Sequence, residues 1–438
     1  MRLYRVLTTL STLTHSYLVD DNYTSRAEKI LRRIEALAAI SEDPQGVTRT
    51  FGTPAFLQGS ALVKSWMDAA GLATRVDSIG NVRGRLVSRA AGAKTFVLAS
   101  HIDTVVNAGK YDGPLGVLMG LDLLEQFIHN AVELPFHVEL IAFSDEEGVR
   151  YHTTYLGSKV VTGSFDPGLL ARTDAHGITL TQAIDTMGGN TQLLSADAIP
   201  SDQWLGYFET HIEQGPVLWE NRVPVALVTA IAGQQRVELT WRGMAGHAGT
   251  VPMHMRQDAL AGAAEFVLAA EQFGVAHKHE LVATVGKLEV RHAASNVIPG
   301  EVVCSLDLRS ADAARLATAY EELQQKAQAI AQKRHLTLHW DLIQYTAPVT
   351  CAPEMNTLLA QAIQESGHEV VRLVSGAGHD AVPVSAVSPA TMLFIRCFKG
   401  ISHNPLENVE LADVAAAVQV SERFLQLLFS HYSSSPSH

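Results

Sequence analysis

The strongest indication of the fold is a set of histidine and carboxylate residues at the ends of short apolar runs. They stand in separate motifs, SHIDT, KYDGPLG, SDEEG, HIEQGP and GISHNPLE. A parallel α/β sheet presents polar residues to a crevice at the carboxyl ends of its strands, where ligands bind in such folds. The pattern therefore predicts an α/β fold in which these distant motifs meet at one edge of a sheet.

The first two motifs contain His101, Asp103 and Asp112. His101 and Asp103 follow the apolar run TFVLAS, so on a strand both project from the same face. A carboxylate that accepts the second ring N–H of a metal-bound histidine fixes its tautomer, and we expect Asp103 to do this for His101. Asp112 lies on a glycine-flanked turn, and its two oxygens can bridge cations about 3.5 to 4 Å apart. We assign Asp112 this bridging role.

The SDEEG motif places Glu146 and Glu147 side by side after the strand-like run HVELIAFS. Adjacent residues at a strand end point in different directions, so one can bind metal while the other faces the substrate. A carboxylate beside an activated water can take its proton and later give it to a leaving nitrogen. Each motif alone is also compatible with an ordinary polar turn, so the hypothesis of a two-metal hydrolase depends on their combination.

Two further histidines, His211 and His403, complete the candidate ligand set at predicted boundaries between strand and loop. With His101, Asp112 and Glu147 they give a mixture of imidazole and carboxylate ligands. Such a mixture suits Zn or Mn better than Ca or Mg, which prefer oxygen ligands. We therefore expect two divalent metal ions per subunit, Mn or Zn, as cofactors.

These motifs, together with GQQRVELTWRGMAGHAGTVPMHMRQDAL, ASNVIPGEVVCSLDLRS and SGAGHDA, resemble those of a known group of enzymes. The group comprises the allantoate, ureidoglycolate and N-carbamoyl-amino-acid amidohydrolases, a branch of the di-metal aminoacylase and carboxypeptidase-like peptidases. The resemblance covers nearly the whole chain, with the motifs in the same order. It implies one metal on His101, Asp112 and His211 and another on Asp112, Glu147 and His403.

The resemblance also implies catalytic and substrate-binding residues. Glu146 would be the general base and then the acid, and His247 in AGHAG would bind substrate and stabilise the oxyanion. The other substrate-binding residues would be Gln214 for the ureido group, Asn296 and Arg309 for the carboxylate, and Gly376 in SGAGHDA. An arginine suits a carboxylate because its planar fork donates two parallel hydrogen bonds. The role of His379 is open: it would bind substrate or only shape its loop.

At 438 residues the chain is longer than one ordinary core, so we expect two domains. Helix and strand patterns alternate over most of it, as in α/β folds. Between residues 229 and 345 the order becomes βαββαβ, which predicts an inserted ferredoxin-like domain. The predicted architecture is a di-metal aminopeptidase-like catalytic domain (1–228 and 346–438) with a lid and dimerisation domain (229–345).

The expected assembly is a homodimer, which the resemblance implies is formed through the insert. In it His247, alone or with Asn296, would reach the site of the partner. A net charge of −12 argues against nucleic acid or an anionic membrane surface as a partner. The N-terminal segment MRLYRVLTTLSTLTHSYLV has no long apolar region and no small-residue cleavage site, so a cytoplasmic protein is expected.

The substrate is the least constrained part of the interpretation. Tyr111 and Val149 stand where we would expect Phe and Ser in carbamoyl-amino-acid enzymes. They favour allantoate, cleaved to ureidoglycine, ammonia and carbon dioxide in purine and ureide catabolism. N-carbamoyl-L-amino acids, and then ureidoglycolate, are alternatives because all three carry a ureido group and a carboxylate. A dipeptidase would instead hydrolyse dipeptides, and a non-catalytic binding protein would bind substrate without turnover.

Overall fold

The structure of the chain, a computed structural model, describes residues 21–434. The prediction for the N-terminal segment MRLYRVLTTLSTLTHSYLV lies outside the described residues. The strands, in chain order, are β1 Ala73–Val76, β2 Val82–Leu86, β3 Thr95–His101, β4 His137–Phe143, β5 Trp204–Ile212, β6 Val225–Ile231, β7 Gly233–Arg242, β8 Gly246–His247, β9 Leu281–Thr284, β10 Leu288–Val290, β11 Val297–Ile298, β12 Glu301–Ser310, β13 Thr337–Thr346, β14 Val349–Thr350, β15 Arg372–Ser375 and β16 Ala390–Ile395. The α-helices are α1 Asp21–Ala38, α2 Pro54–Ala69, α3 Pro114–His129, α4 Leu156–Thr162, α5 Leu180–Thr186, α6 Val217–Asn221, α7 Ala259–Ala276, α8 Ala313–Lys333, α9 Pro353–Glu365, α10 Ala381–Val384 and α11 Leu411–Ser434.

The larger sheet has the strand order β1-β2-β4-β3-β5-β16-β6-β14, and β15 also pairs with β6. Its central strands β4, β3, β5 and β16 run parallel to one another. Every residue of β3 is buried, as is typical of parallel strands that are covered on both faces. The carboxyl ends of these parallel strands therefore lie together at one edge of the sheet.

Helices cover both faces of the larger sheet. Phe96 and Leu98 of β3 pack on one face with residues of α1, α2, α3, α9 and α11. Val97 and Ala99, which alternate with them, pack on the other face with residues of α4, α6 and α10. Successive residues of a strand point to opposite faces, so the residues of one unbroken apolar run pack alternately into the two cores on either side of the sheet. The predicted α/β class is confirmed.

The smaller sheet is antiparallel and consists of β7, β9, β10, β12 and β13. Strands β9 and β10 both pair with β12, so they act as one interrupted strand beside it. Strand β7 lies between β12 and β13, and helices α7 and α8 cover one face. This is the βαββαβ order that the sequence predicts for a ferredoxin-like insert.

The chain leaves the larger sheet at the end of β6, Ile231, and enters the smaller one at Gly233. It returns after Thr346, the end of β13. Both changes of sheet fall close to the predicted limits of the insert, 229 and 345. The exact limits depend on strand pairing, which a local hydrophobic pattern does not specify.

Among the described residues, α7 is the helix with the length and apolar composition of a membrane span, with a mean hydropathy of 1.3. It packs on the smaller sheet, where Ala263, Phe266 and Ala270 are buried. A core helix of a folded domain passes the same test of length and composition. The apolar character of α7 therefore follows from its place on the sheet.

Candidate metal centre

The candidate ligands meet at the carboxyl-terminal edge of the larger sheet. His101 is the last residue of β3, and His211 lies near the end of β5, its parallel neighbour. Glu147 lies in the turn after β4, and His403 lies in the loop after β16. Because these strands lie side by side and parallel, four distant segments of the chain bring their polar residues together.

Asp112 stands at the centre of this cluster, just before α3. Its Oδ1 lies 3.1 Å from Nε2 of His211 and 3.5 Å from Nε2 of His101. Its Oδ2 lies 3.2 Å from Nε2 of His403, which is also 3.4 Å from Oε1 of Glu147. Each oxygen of Asp112 therefore faces a different group of donors, as a bridging carboxylate requires.

The spacing of these donor atoms fits metal ions. Zn–N and Zn–O bonds are about 2.0 to 2.2 Å long, so two donors on one tetrahedral ion lie about 3.3 to 3.6 Å apart. The separations around Asp112 run from 3.1 to 3.5 Å. Two donor sets that share Asp112 therefore fit a divalent cation: His101, Asp112 and His211, and Asp112, Glu147 and His403.

The two buried histidines present Nε2 to Asp112 because their other ring nitrogen is bonded elsewhere. Nδ1 of His211 lies 2.9 Å from the backbone carbonyl oxygen of Ile212, and Nδ1 of His101 lies 3.1 Å from that of Asp103. A carbonyl oxygen only accepts hydrogen bonds, so Nδ1 carries a proton and Nε2 is the nitrogen left to face Asp112 or a metal ion. This tautomer is the one that a metal ligand through Nε2 needs.

Asp103 differs in part from the expectation. Its carboxylate lies 3.4 Å from Nδ1 of His101, farther than its own backbone carbonyl. The carboxylate accepts hydrogen bonds from the backbone N–H groups of Glu146, at 3.0 Å, and Glu147, at 3.1 Å. Asp103 therefore orients His101 mainly through its backbone, and its side chain fixes the turn that carries the two glutamates.

The expectation that Glu146 and Glu147 point in different directions is wrong, because each has an oxygen within 4.8 Å of a ring nitrogen of His101, in a turn after the strand and not in the strand itself. Burial raises the pKa of Glu147 to about 7, and the negative charge of Asp112 adds to this effect. Burial also raises the pKa of Glu146 well above its ordinary value, although His101 opposes the change. A raised carboxyl pKa suits a group that must both take and give a proton near neutral pH.

Asp112 remains ionised in spite of its burial. Burial alone would raise its pKa, but hydrogen bonds with His101, His211 and His403 hold that pKa well below its ordinary value. The hydrogen bond to Asp112 in turn raises the pKa of His403 to about 9. An ionised carboxylate at this position is what cation binding requires.

The turn that carries Asp112 is held by a glycine and by a residue that the sequence analysis missed. Gly113 has a φ of +83°, and a Cβ there would lie 2.5 Å from the ring of His101. Oε1 of Glu407 accepts hydrogen bonds from the backbone N–H groups of Tyr111, at 2.8 Å, and Asp112, at 3.1 Å. The available signal for Glu407 was its place in the GISHNPLE motif, beside a candidate ligand.

His379, whose role the sequence left open, packs against the candidate ligand His211. It is buried, and its Nε2 lies 2.7 Å from Oγ of Ser375. Its ring meets that of His211 edge to face, with the ring centroids 4.5 Å apart. Burial lowers the pKa of His379 well below its ordinary value, so the ring is neutral. This contact fixes the orientation of His211.

A cleft of about 910 Å³ opens in front of the cluster. Glu146, Gln214 and the candidate metal ligands border it on the side of the larger sheet. The residues that border it on the side of the smaller sheet are Gln234, Arg236, Arg309, Ile343, Gln344 and Thr346. The two sheets therefore form opposite walls of one site.

Two of the predicted substrate-binding side chains reach this cleft. Nε2 of Gln214 donates a hydrogen bond to Oδ2 of Asp112 at 2.7 Å. Nε and Nη2 of Arg309 donate to the carboxylate of Asp307, at 2.7 and 3.0 Å, and Nη1 donates to the carbonyl oxygen of Gly376 at 2.6 Å. A guanidinium has five N–H donors, so one remains on each of Nη1 and Nη2 for a ligand.

His247 and Asn296 do not reach the cleft that the described residues form. His247 is exposed on β8, which pairs with β11, the strand that follows Asn296. The backbone carbonyl of Asn296 accepts a hydrogen bond from the N–H of Ala248 at 2.9 Å. One chain therefore brings these two residues close to each other but not to the candidate metal ligands.

The model of the family described as Peptidase family M20/M25/M40 matches residues 97–427. The chain belongs to this family. An allantoate deiminase of Arabidopsis thaliana is 38% identical over 432 residues, which cover 91% of this chain and 82% of that protein. An N-carbamoyl-L-amino acid amidohydrolase of Geobacillus stearothermophilus is 35% identical over 396 residues, which cover 90% and 97% of the two chains.

A solved member of the hydantoinase/carbamoylase family, an amidase from Burkholderia multivorans, shares the fold of this M20-family chain. The TM-score is 0.85 at 31% identity, and the match covers 94% of this chain and 98% of that one. These findings confirm the resemblance and the fold class that the motifs predict. This M20-family chain is a hydrolase, and the metal dependence of the family agrees with the donor sets around Asp112.

Proposed function

We propose that this M20-family enzyme hydrolyses a ureido C–N bond of allantoate, with ureidoglycine, ammonia and carbon dioxide as products, in purine and ureide catabolism. The observation that carries the proposal is the position of Arg309 across one cleft from the donor sets around Asp112. Allantoate has a carboxylate that Arg309 can bind and ureido groups that can lie beside the donor sets around Asp112. Relatives that are named allantoate deiminases support this choice.

The proposed cofactors are two divalent ions, Mn or Zn, held by the two donor sets that share Asp112. Such ions, when bound, polarise a carbonyl group and lower the pKa of a water molecule. The chain holds the donors in place for them: backbone carbonyls fix the tautomers of His101 and His211, and Glu407 fixes the turn of Asp112.

Glu146 is the proposed general base and acid. It would take a proton from the attacking water and give it to the leaving nitrogen, which cannot depart as an anion. Glu146 is only 7% exposed, and Asp103 accepts the hydrogen bond of its backbone N–H. Its position is therefore fixed independently of the substrate.

Arg309 is the proposed binding residue for the substrate carboxylate, through the two N–H groups that Asp307 and Gly376 leave available. The contact with Gly376 places the guanidinium against the larger sheet, so the carboxylate would lie between the two walls. Gln214, whose amide donates a hydrogen bond to Asp112, is proposed to bind the ureido group that reacts.

We further propose a cytoplasmic homodimer in which the insert forms the lid and the interface. The partner subunit's His247 and the partner subunit's Asn296 would then complete the site. The exposure of His247 and its place outside the cleft of its own chain support this arrangement. Light scattering that gave the mass of one chain would contradict the dimer, and fractionation of cells would test the location.

The test of the proposed function is ammonia release by enzyme reconstituted with Mn or Zn. The substrates are allantoate, N-carbamoyl-L-amino acids, ureidoglycolate and dipeptides at equal concentration. We expect fast release from allantoate and a loss of at least about a hundredfold in Glu146→Gln, because general acid–base catalysis contributes on that order. Activity on dipeptides alone, or binding of allantoate without turnover, would contradict the proposal.

A second candidate substrate class is the N-carbamoyl-L-amino acids. The relative from Geobacillus stearothermophilus that bears this activity in its name is 35% identical. The same cleft offers Arg309 for their carboxylate and the metal side for their single ureido group. Activity on these compounds without activity on allantoate would select this alternative and retain the proposed chemistry.

A further inference from the structure

The cleft-facing side of the smaller sheet carries polar side chains that the proposed reaction does not use. In the antiparallel register, Gln234 on β7 lies directly between Arg309 on β12 and Thr346 on β13. The next row has the same construction, with Asp307, Arg236 and Gln344. The opposite side of these strands packs under α7 and α8. The two rows therefore belong to the side of the sheet that borders the cleft.

A β-bulge sets the side to which the end of β13 points. The register of β13 against β7 shifts between Leu342 and Gln344. Without the bulge, Gln344 and Thr346 would share the helix-covered side with Leu342, because residues two apart on a strand point the same way. The extra residue, Ile343, is 65% exposed and borders the cleft. Bulges often turn side chains toward a site in this manner.

Gln234 differs from its neighbours because its amide is unused. Arg236 donates to Asp307 at 3.1 Å and to Oε1 of Gln344 at 3.3 Å, and Arg309 bonds to Asp307 and Gly376. Within residues 21–434, no group forms a hydrogen bond with the side-chain amide of Gln234. The side chain is half-buried and borders the cleft. A ligand that covered this amide without bonding to it would lose binding free energy.

We propose that Gln234 binds the second ureido group of allantoate, the one that is not cleaved, and thereby selects this substrate over N-carbamoyl amino acids. The inference rests on the proposed function. Allantoate carries its carboxylate and both ureido groups on one carbon. With the carboxylate on Arg309 and one ureido group beside Asp112, the remaining group would lie near Gln234, which borders the cleft, whereas Val282, the other cross-strand neighbour of Arg309, does not.

The chemistry of the two groups is complementary. A primary amide has one carbonyl acceptor and two N–H donors, and a ureido group offers the same kinds of acceptor and donor. The two can exchange a reciprocal pair of hydrogen bonds. The apolar side chain of an N-carbamoyl amino acid in that place would leave the amide covered and unbonded, and such a loss separates substrates strongly.

The test compares Gln234→Leu with the native enzyme, both loaded with the metal that gives activity. The substrates are allantoate and N-carbamoylglycine, which has the carboxylate and one ureido group but no second arm. We expect kcat/KM for allantoate to fall about tenfold or more. The inhibition constant of N-carbamoylglycine against allantoate turnover should stay within about twofold. Gln332→Leu, the same change on an exposed position of α8, serves as the control.

A second variant, Gln234→Glu, keeps the size and polarity of the side chain but removes its donors, and the same preferential loss on allantoate is expected. Equal losses on allantoate and N-carbamoylglycine, or no loss on either, would overturn the role of Gln234 and leave the proposed function intact. A native enzyme that releases no ammonia from allantoate would overturn the proposed function, and this inference with it.

Discussion

At the scale of single residues, the candidate site depends on carboxylates that bind backbone N–H groups. Asp103 fixes the turn of Glu146 and Glu147 in this way, and Glu407 fixes the turn of Asp112. Neither carboxylate belongs to the two donor sets around Asp112. The ligand geometry is therefore set by loops that are tied to their neighbours, which limits how far each donor atom can move.

Gly113 and Gly71 provide a matched pair that separates backbone strain from crowding at the site. Both have positive φ, +83° and +86°, but a Cβ at Gly113 would lie 2.5 Å from the His101 ring, whereas one at Gly71 meets nothing within 4 Å. We expect Gly71→Ala to lower the free energy of unfolding by about 1 to 2 kcal/mol through strain alone. Gly113→Ala should in addition lower metal affinity at least about tenfold, since it displaces a ligand.

The measurements for this pair are urea unfolding and titration with Zn or Mn. Equal metal affinity in the two variants would show that the ring of His101 can shift without consequence for metal binding. That result would contradict the role assigned to His101 as a ligand held in place by the turn.

At the scale of elements, a buried charge network joins three helices that cover the larger sheet. Arg26 on α1 lies 2.8 Å from Asp122 on α3 and 3.0 Å from Glu422 on α11. The side chain of Arg26 is 5% exposed, and that of Asp122 is fully buried. A buried charge is tolerated only when its partner is present, so this network ties α1 and α11 to α3, the helix that begins after Asp112.

Replacement of Arg26 by Met should destabilise the fold because it leaves Asp122 buried without a cation. We expect the free energy of unfolding to fall by about 3 to 5 kcal/mol. Arg32→Met on the same helix is the control, because Arg32 and Glu28 form an exposed pair at 3.7 Å. Such pairs contribute about 0 to 1 kcal/mol. Similar losses in both variants, measured by urea unfolding, would refute the importance of the buried network.

At the scale of the whole molecule, the candidate metal ligands tie together segments from most of the chain. The donors come from the ends of β3 and β5, from the loop between β3 and α3, and from the loops after β4 and β16. A ligand that binds only the folded chain stabilises all of these segments at once. Metal content should therefore affect the stability of the entire fold as well as activity.

Removal of metal by a chelator should lower the melting temperature, and added Zn or Mn should restore it. At a free metal concentration of one hundred times Kd, the expected gain in unfolding free energy is about 2.7 kcal/mol. Asp112→Asn should respond much less, because Asp112 belongs to both donor sets. A chelator effect of the same size in that variant would place the stabilising metal elsewhere.

Three features could be predicted from the sequence: the α/β class, the βαββαβ order of the insert and the residues that gather at the sheet edge. These features are local: apolar runs mark buried strands, and His101 or Glu147 at the end of such a run must lie at the carboxyl edge of a parallel sheet. The resemblance supplied roles for Arg309 and Gln214, and the structure places both side chains on the cleft. Their roles remain predictions that activity measurements will test.

The contacts of these residues became apparent in the three-dimensional structure. There the carboxylate of Asp103 accepts hydrogen bonds from two backbone N–H groups, Glu407 lies beneath Asp112, and His247 lies outside the cleft of its own chain. Gln234 lies beside Arg309 because β7 pairs with β12. Such contacts join strands and loops that are far apart in the sequence. Their register is fixed by packing of the whole sheet, which a local pattern of residues does not specify.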